Sequence, residues 1–278
     1  MKTELLHTFV ADPRSVPAIA RLPDGTLITG GSDGHLRRWD PAHWIELAAV
    51  DAHGKGVRAL HVGAGRIVSV GGDRTLRVWA GVGGHPLFAA SRRIGGLSTD
   101  RWIVGNSSRG RVCLHDPETG ELKRRLPRLD DDVRCITAVP DAVIAGGVDG
   151  VYRLPLTGGP VGRWSQSAPV IAVHADGHGV CAVHADGRVA AWSVDGHERW
   201  AVQADGAVPQ AIRTSPDGQR IAVSMAYQIQ LLDRTDGRTL GTIKSRLKGL
   251  FGLVWSADGE RLYCGAADGR VRVWGLGG

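Results

Sequence analysis

The clearest pattern in the chain lies at residues 53–79, HGKGVRALHVGAGRIVSVGGDRTLRVW, where three short apolar runs are separated by polar breaks. VRALHV, RIVSVG and TLRVW are rich in β-branched residues, and the Gly-Ala-Gly and Gly-Asp-Arg segments between them have the composition of tight turns joining antiparallel strands. A fourth run, PLFAASR, follows Gly83 and Gly84. Apolar residues fall on both faces of these runs, as in Ile67, Val68 and Val70 or Leu76, Val78 and Trp79. The pattern predicts a small sheet covered on both sides. Such a sheet cannot be stable alone and has to stack against others.

Six weaker copies of this unit account for most of the remaining chain. Unit one runs through VPAIARL, TLITGG, HLRRWD and WIELAAV, with Asp24-Gly25 and Asp33-Gly34 as turns. Unit three reads IGGLS, WIVGN and RVCLHD, and unit four VRCITAV, AVIAGG and GVYRLP, with Pro155 near the place that Trp79 holds in unit two. Unit five ends at Trp192, unit six puts Leu232 at that position, and unit seven ends at Trp274. A repeat of about forty residues divides the 278 residues about seven times and leaves no remainder. Six or eight units come within range; seven fits best. The units are expected near 16–51, 57–92, 93–126, 133–165, 169–203, 208–243 and 249–274 plus 4–10, within one domain spanning 1–278. The run ELLHTFV, Glu4 to Val10, has no hairpin mate beside it, and unit seven stops one strand short.

In unit two His53 precedes the first run, Ser69 lies in the second, Asp73 in the following turn, and Trp79 closes the third. These residues resemble the WD-repeat β-propellers. The resemblance implies an all-β fold, a seven-bladed β-propeller of four-stranded antiparallel blades, whose ring is closed by the N-terminal strand completing the last blade. It also implies a polar brace in which indole N–H donates to hydroxyl, hydroxyl to imidazole and imidazole to carboxylate. Each such bond contributes only ~1 kcal/mol net, whereas a buried member left unpaired costs about 1–3 kcal/mol. Unit one keeps Thr29, Asp33 and Trp39 of this set, with the literal Trp39-Asp40 pair; unit five keeps Asp186 and Trp192; unit seven keeps Asp268 and Trp274, with Cys264 at the hydroxyl position. In unit three Gly105, Arg109 and His115 stand where the set would lie. Ser, His and Asp together also have the composition of a hydrolase triad, but the Trp at the end of the chain and its place inside a repeat make it a brace. Burying each periodic Trp removes ~200 Å² from water, worth ~5 kcal/mol gross, so Trp39, Trp79, Trp192 and Trp274 read as core.

Composition narrows the class without naming a ligand. Glycine, 40 of 278 residues, is about twice its average share of ~7%, which suits many short strands and tight turns. The opening MKTELLHTFVADP has Glu4 and His7 inside its apolar run and no cleavage pattern, so no secretory signal is expected. No membrane span is expected either. Cys113, Cys135, Cys181 and Cys264 are far apart and form no C-x-x-C pair, which reads as small buried residues of a reducing, cytoplasmic compartment. Degenerate signatures and short loops are in the style of a bacterial stand-alone propeller. The net charge is +6, with Arg far outnumbering Lys. Arg favours paired contacts to carboxylate or phosphate, so either an acidic partner or simply the base composition of the genome accounts for it.

The loops are too short for an inserted lid or domain, so a ligand has to use a face of the ring or its channel. The resemblance places on the usual binding face Arg14, Pro17, Lys55, Arg58, Arg74, Arg93, Arg109, Arg134, Gln210, Tyr227 and Phe251. This basic rim with two aromatics suits an acidic peptide or protein loop. The segment KRRLPRLDDDVR, residues 123–134, sets Arg124, Arg125 and Arg128 beside Asp130, Asp131 and Asp132 and reads as a solvated connection or a polar contact site. His174 and His178 bracket a turn with His184 further on, but no carboxylate or thiol spacing completes a metal site. The expectation is a non-catalytic protein–protein interaction scaffold with no cofactor and no metal. Nucleic-acid binding is the alternative, weakened by interspersed acids and core-type aromatics. A metal-dependent enzyme using the channel is the third, weakened by the lack of a carboxylate and amide set in the innermost strands.

Overall fold

A computed structural model describes the chain at residues 2–91, 95–107, 109–164, 168–206, 208–245 and 249–277. The apolar runs form antiparallel strands in seven sheets of four. From innermost to outermost, blade 1 comprises Ala18–Arg21, Leu27–Gly30, His35–Asp40 and Ile45–Asp51, and blade 2 comprises Val57–Gly63, Arg66–Gly71, Thr75–Trp79 and Phe88–Ser91. Blade 3 is built from Gly95–Ser98, Ile103–Ser107, Arg111–His115 and Leu122–Arg125, and blade 4 from Cys135–Val139, Ala142–Gly146, Val151–Pro155 and the short Gly162–Arg163. Blade 5 holds Val170–Asp176, Gly179–His184, Arg188–Trp192 and Glu198–Gln203; blade 6 holds Ala211–Thr214, Arg220–Ser224, Gln228–Asp233 and Thr239–Lys244. Blade 7 takes Leu250–Trp255, Arg261–Ala266 and Arg270–Gly277 from the end of the chain and Lys2–Val10 from its start. No helix among the described residues is long and apolar enough to cross a membrane.

Two-sided strands have their physical consequence in where the core sits. It is divided among the interfaces between neighbouring blades. Ile28 and Leu36 of blade 1 pack with Val57, Ile67 and Trp79 of blade 2. Val183 and Val189 of blade 5 pack with Ile212, Ile221 and Leu232 of blade 6. The same arrangement joins blades 6 and 7 through Leu231, Leu253 and Trp274, and blades 7 and 1 through Phe9, Val271, Ile19 and Trp39. The circle of interfaces is complete, so each blade packs apolar residues against both neighbours.

Turn glycines lock adjacent blades at backbone level. Gly34 has φ +95°, and a Cβ there would lie 2.0 Å from the His53 carbonyl oxygen, while the N–H groups of Ala52 and His53 donate to the Gly34 carbonyl. Gly269 stands likewise against Asp12, whose N–H donates to its carbonyl. In blade 2 the corresponding turn residue is Arg74, which adopts φ +61° without being glycine, a conformation that costs about 1 kcal/mol or more.

Lys2–Val10 runs antiparallel to Arg270–Gly277, from Lys2 opposite Gly277 to Val10 opposite Arg270, with a bulge between Leu5 and His7. It is two residues longer at its start than the apolar run ELLHTFV. Phe9 seals the join against Trp39 with ring centroids 4.9 Å apart, and His7 stacks on Trp44 at 4.5 Å. Removing residues 2–10 therefore exposes both a sheet edge and the core between blades 7 and 1. The expected outcome is a loss of at least about 3 kcal/mol in denaturant unfolding and concentration-dependent association by sedimentation; an unchanged midpoint in a monomer would contradict this account of closure.

Candidate functional site

In blade 2 the side chains of His53, Ser69, Asp73 and Trp79 form one chain. The Trp79 indole N–H donates to Ser69 Oγ at 2.9 Å, and Ser69 Oγ lies 2.8 Å from His53 Nε2. His53 Nδ1 sits 3.1 Å from both Asp73 oxygens, so its N–H faces the carboxylate and its Nε2 accepts from the serine. Thr75 adds its own N–H and hydroxyl to Asp73, at 2.9 and 2.8 Å. His53 and Ser69 are fully buried, and burial, only partly offset by Asp73, holds the imidazole pKa below its ordinary value. The trio is closed to substrate and satisfied within itself, the arrangement of a brace.

The other blades keep parts of this device with different residues. In blade 1 Trp39 donates to Thr29 Oγ1 at 2.8 Å, and the place of His53 is taken by Asp12, whose carboxylate accepts from the N–H groups of Arg14, Ser15 and Asp33. Asp131 does the same in blade 4, accepting from the N–H groups of Val148 and Asp149 at 2.9 Å each. The acidic run at 130–132 thus includes a cap on the neighbouring turn, while Leu126, Leu129 and Val133 around it are buried. Three blades add an ion pair four residues along: Arg37 to Asp33, Arg77 to Asp73 and Arg272 to Asp268, at 2.5, 4.0 and 2.6 Å. The sequence carries this as DGHLR, DRTLR and DGRVR. Blade 5 has Trp192 but Ala182 where Ser69 stands in blade 2, and its buried indole N–H has no hydrogen-bond partner among the described residues.

Antiparallel order puts the loop leading into each innermost strand and the turn between second and third strands at the same end of every blade. Arg58, Arg134 and Phe251 from the expected rim come together there, with Pro17 and Gln210, around a cavity of about 370 Å³ that opens the channel. Arg14, Arg74 and Tyr227 are exposed on the same face but do not line that cavity. Arg109 borders a separate cleft of about 460 Å³ with Arg128, Asp130, Asp131 and Asp132. Arg93 lies outside the described residues. On the opposite face a cleft of about 890 Å³ runs past Trp102, Arg124, Pro140, Asp141 and Leu156.

A second cavity of about 510 Å³ continues the channel toward that opposite face. The two share Ile19, Leu60, His61, Ile136, Val173 and Arg213, and so meet at a waist. Their lining contains Arg21, Arg58, Arg134, Arg213, His61 and His174 and, among the described residues, no aspartate or glutamate. His61 Nδ1 accepts the Ser98 N–H at 3.1 Å. Burial, with the Arg213 charge, lowers the imidazoles of His61 and His174 to about 4 and about 3. His174 thus faces the channel, whereas His178 lies on an exposed turn and His184 bonds the Ala168 carbonyl; among the described residues no group of three or more potential ligands converges on a metal position. Burial pushes the thiols of Cys135, Cys181 and Cys264 up to about 12, so they are protonated and unreactive near neutral pH.

Of the charged and imidazole lining, Arg58, Arg134 and His174 stand out in the sequence, whereas Arg21, His61 and Arg213 do not, because strands apolar on both sides hide which position meets the axis. Arg213 does carry a signal: Ile212 before it packs into the interface with blade 5, and strand alternation sets the Arg213 side chain off that face, where it lines the channel.

Two outcomes follow from the buried polar groups. Ala182→Ser supplies the acceptor that the Trp192 indole lacks and is expected to raise stability by about 1 kcal/mol in chemical denaturation; a loss of stability would mean that the site has no room for it. The folded-state values of His53, His61, His174 and His184 all lie below the ordinary imidazole value. Their contribution is complete above about pH 6.5 and is lost as the pH falls toward the folded values. Unfolding midpoints should therefore drop between pH 7.5 and pH 5, and less so for His53→Gln measured against its own value at pH 7.5.

The WD domain, G-beta repeat family model matches the chain at residues 3–40, 44–80 and 237–275, stretches that each end one residue after Trp39, Trp79 or Trp274. No curated protein matches it. The chain is a seven-bladed β-propeller with WD repeats matched at three positions, and blade 2 carries the full indole-to-carboxylate chain.

Proposed function

We propose that this propeller is a non-catalytic scaffold that binds an acidic protein or peptide segment at the channel mouth formed by Arg58, Arg134 and Phe251. WD-repeat propellers are commonly interaction scaffolds and typically bind proteins or peptides. The observation that supports this particular face is its charge: among the described residues, two exposed arginines without ion-pair partners border a concave mouth lined by no carboxylate. Elsewhere on the molecule Arg38, Arg153, Arg188 and Arg238 are paired with acids. Phe251, half-buried at the same rim, supplies an apolar anchor beside them. Arg makes paired hydrogen bonds to carboxylate in this setting and steers an acidic partner before contact.

The test compares partners captured from native extract by the wild-type protein and by the Arg58→Glu/Arg134→Glu variant, after matched circular dichroism and unfolding midpoints. A partner bound at the mouth should lose at least about tenfold in affinity when both charges are reversed. Equal retention by both would move the interface to the outer strands or to the opposite cleft at Trp102 and Leu156. Filter binding of single- and double-stranded nucleic acid at two salt concentrations separates the remaining reading, because phosphate contacts weaken steeply with salt.

A further inference from the structure

Below the mouth, the waist of the channel holds a cation that pairs with no carboxylate among the described residues. Arg213 projects from the innermost strand of blade 6 and lines both channel cavities. Its Nη1 donates to the Ile212 carbonyl at 2.8 Å, and among the described residues it forms no ion pair with a carboxylate. Enclosed arginines elsewhere in this chain are satisfied differently. Arg234, only 5% exposed, forms a two-pronged pair with Asp176 at 2.8 and 3.1 Å, and Arg272 does so with Asp268 at 2.6 and 3.1 Å. A guanidinium has five N–H donors and does not give up its proton, so Arg213 keeps a full charge inside the ring, and among the described residues one of its nitrogens is engaged, by the Ile212 carbonyl. Charges interact more strongly in such surroundings than at the surface.

The surrounding groups select the sign and size of what fits. His61 accepts the Ser98 N–H at Nδ1, which leaves its proton on Nε2 as a donor. His174 lines the same cavity, and the Arg213 charge is felt by both imidazoles. Arg58 and Arg134 lie on the mouth side and Arg21 on the far side, so an anion meets favourable charge along the whole path. Apolar Ile19, Leu60, Ile136 and Val173 close the walls between them. The space is fit for a small group presenting several acceptor oxygens to the guanidinium fork.

We propose that the channel waist is an oxyanion-binding site in which Arg213, assisted by the His61 Nε2–H, holds a carboxylate or phosphate group. The group is either free in solution or carried on a side chain of a peptide lying across the mouth. The free-ion form stands independently of the interface proposed above, and the peptide-borne form rests on it.

Inorganic phosphate titrated at constant ionic strength, followed by calorimetry and by the imidazole C–H signals of His61 and His174, tests the site. Saturable binding at one site that moves both imidazole signals is expected. Arg213→Gln should weaken it by at least about tenfold, whereas Arg58→Gln/Arg134→Gln should weaken it by less than about threefold. Arg213→Gln removes no ion pair, and its unfolding midpoint should equal or exceed the wild-type value. Absence of saturable binding, equal binding by Arg213→Gln, or loss in the mouth variant alone would overturn the proposal. A hexaglutamate peptide provides the second arm. Peptide binding that depends on both Arg213 and the mouth arginines identifies a side-chain carboxylate as occupant, and phosphate binding without peptide binding identifies a free ion. Peptide binding that ignores Arg213, with no phosphate binding, would sink the waist site and leave the interface at the mouth standing.

Discussion

A four-stranded blade with apolar side chains on both faces has to be covered on both faces, and only a closed ring covers every blade. This constraint governs the rest of the molecule. It divides the core into interfaces such as that of Ile28 and Leu36 with Val57 and Trp79, and it brings the first strand of the chain to the last blade. It also forces the innermost strands to face one another across a narrow axis, where polar and charged side chains meet at distances that the linear sequence does not foreshadow.

The polar brace works within this frame. Trp79 contributes most of its stabilisation as buried apolar surface, but its N–H needs an acceptor, and Ser69, His53 and Asp73 form a path from that N–H to a partly solvated carboxylate. Where the imidazole is missing, Asp12 and Asp131 cap backbone N–H groups of the same turn instead. An aspartate and a histidine can hold equivalent places because both reach that turn with a polar group, the imidazole donating to its carboxylate and the aspartate accepting from its N–H groups. Their spacing from the following strand need not match, because the loop between them absorbs the difference.

Much of the fold was legible in the sequence for a physical reason. Periodic Trp residues, two-sided strands and Asp-Gly turns repeat because each blade solves the same packing problem, and the unpaired run at Glu4 to Val10 matches the missing strand of unit seven. The brace of unit two was legible because all four side chains survive in one unit. Asp12, Asp131 and the arginines that follow Asp33, Asp73 and Asp268 by four residues were not, since polar residues near turns look alike in sequence. The rim was legible only in part: loops at one end of the blades are easily assigned, but their distance from the axis separates Arg58 and Arg134 from Arg14, Arg74 and Arg109. Arg213 was legible only through the alternation of its strand, Ala211–Thr214, which does not by itself say that the open side meets the axis.

Closure by the two ends of the chain has a consequence for biosynthesis. Of the strands of the ring, Lys2–Val10 is made before all the others, yet its hydrogen-bonding partner, Arg270–Gly277, is made after them. Through almost the whole of translation this strand has an unsatisfied edge and the exposed apolar face of Phe9, the features that invite pairing with another chain. Its outward face carries Leu5 and Leu6, both about half exposed even in the finished ring. Blades can stack in order as they emerge, but the last interface locks only once Arg270–Gly277 has been made, so a nascent chain stalled before residue 270 is an open arc with two sticky ends.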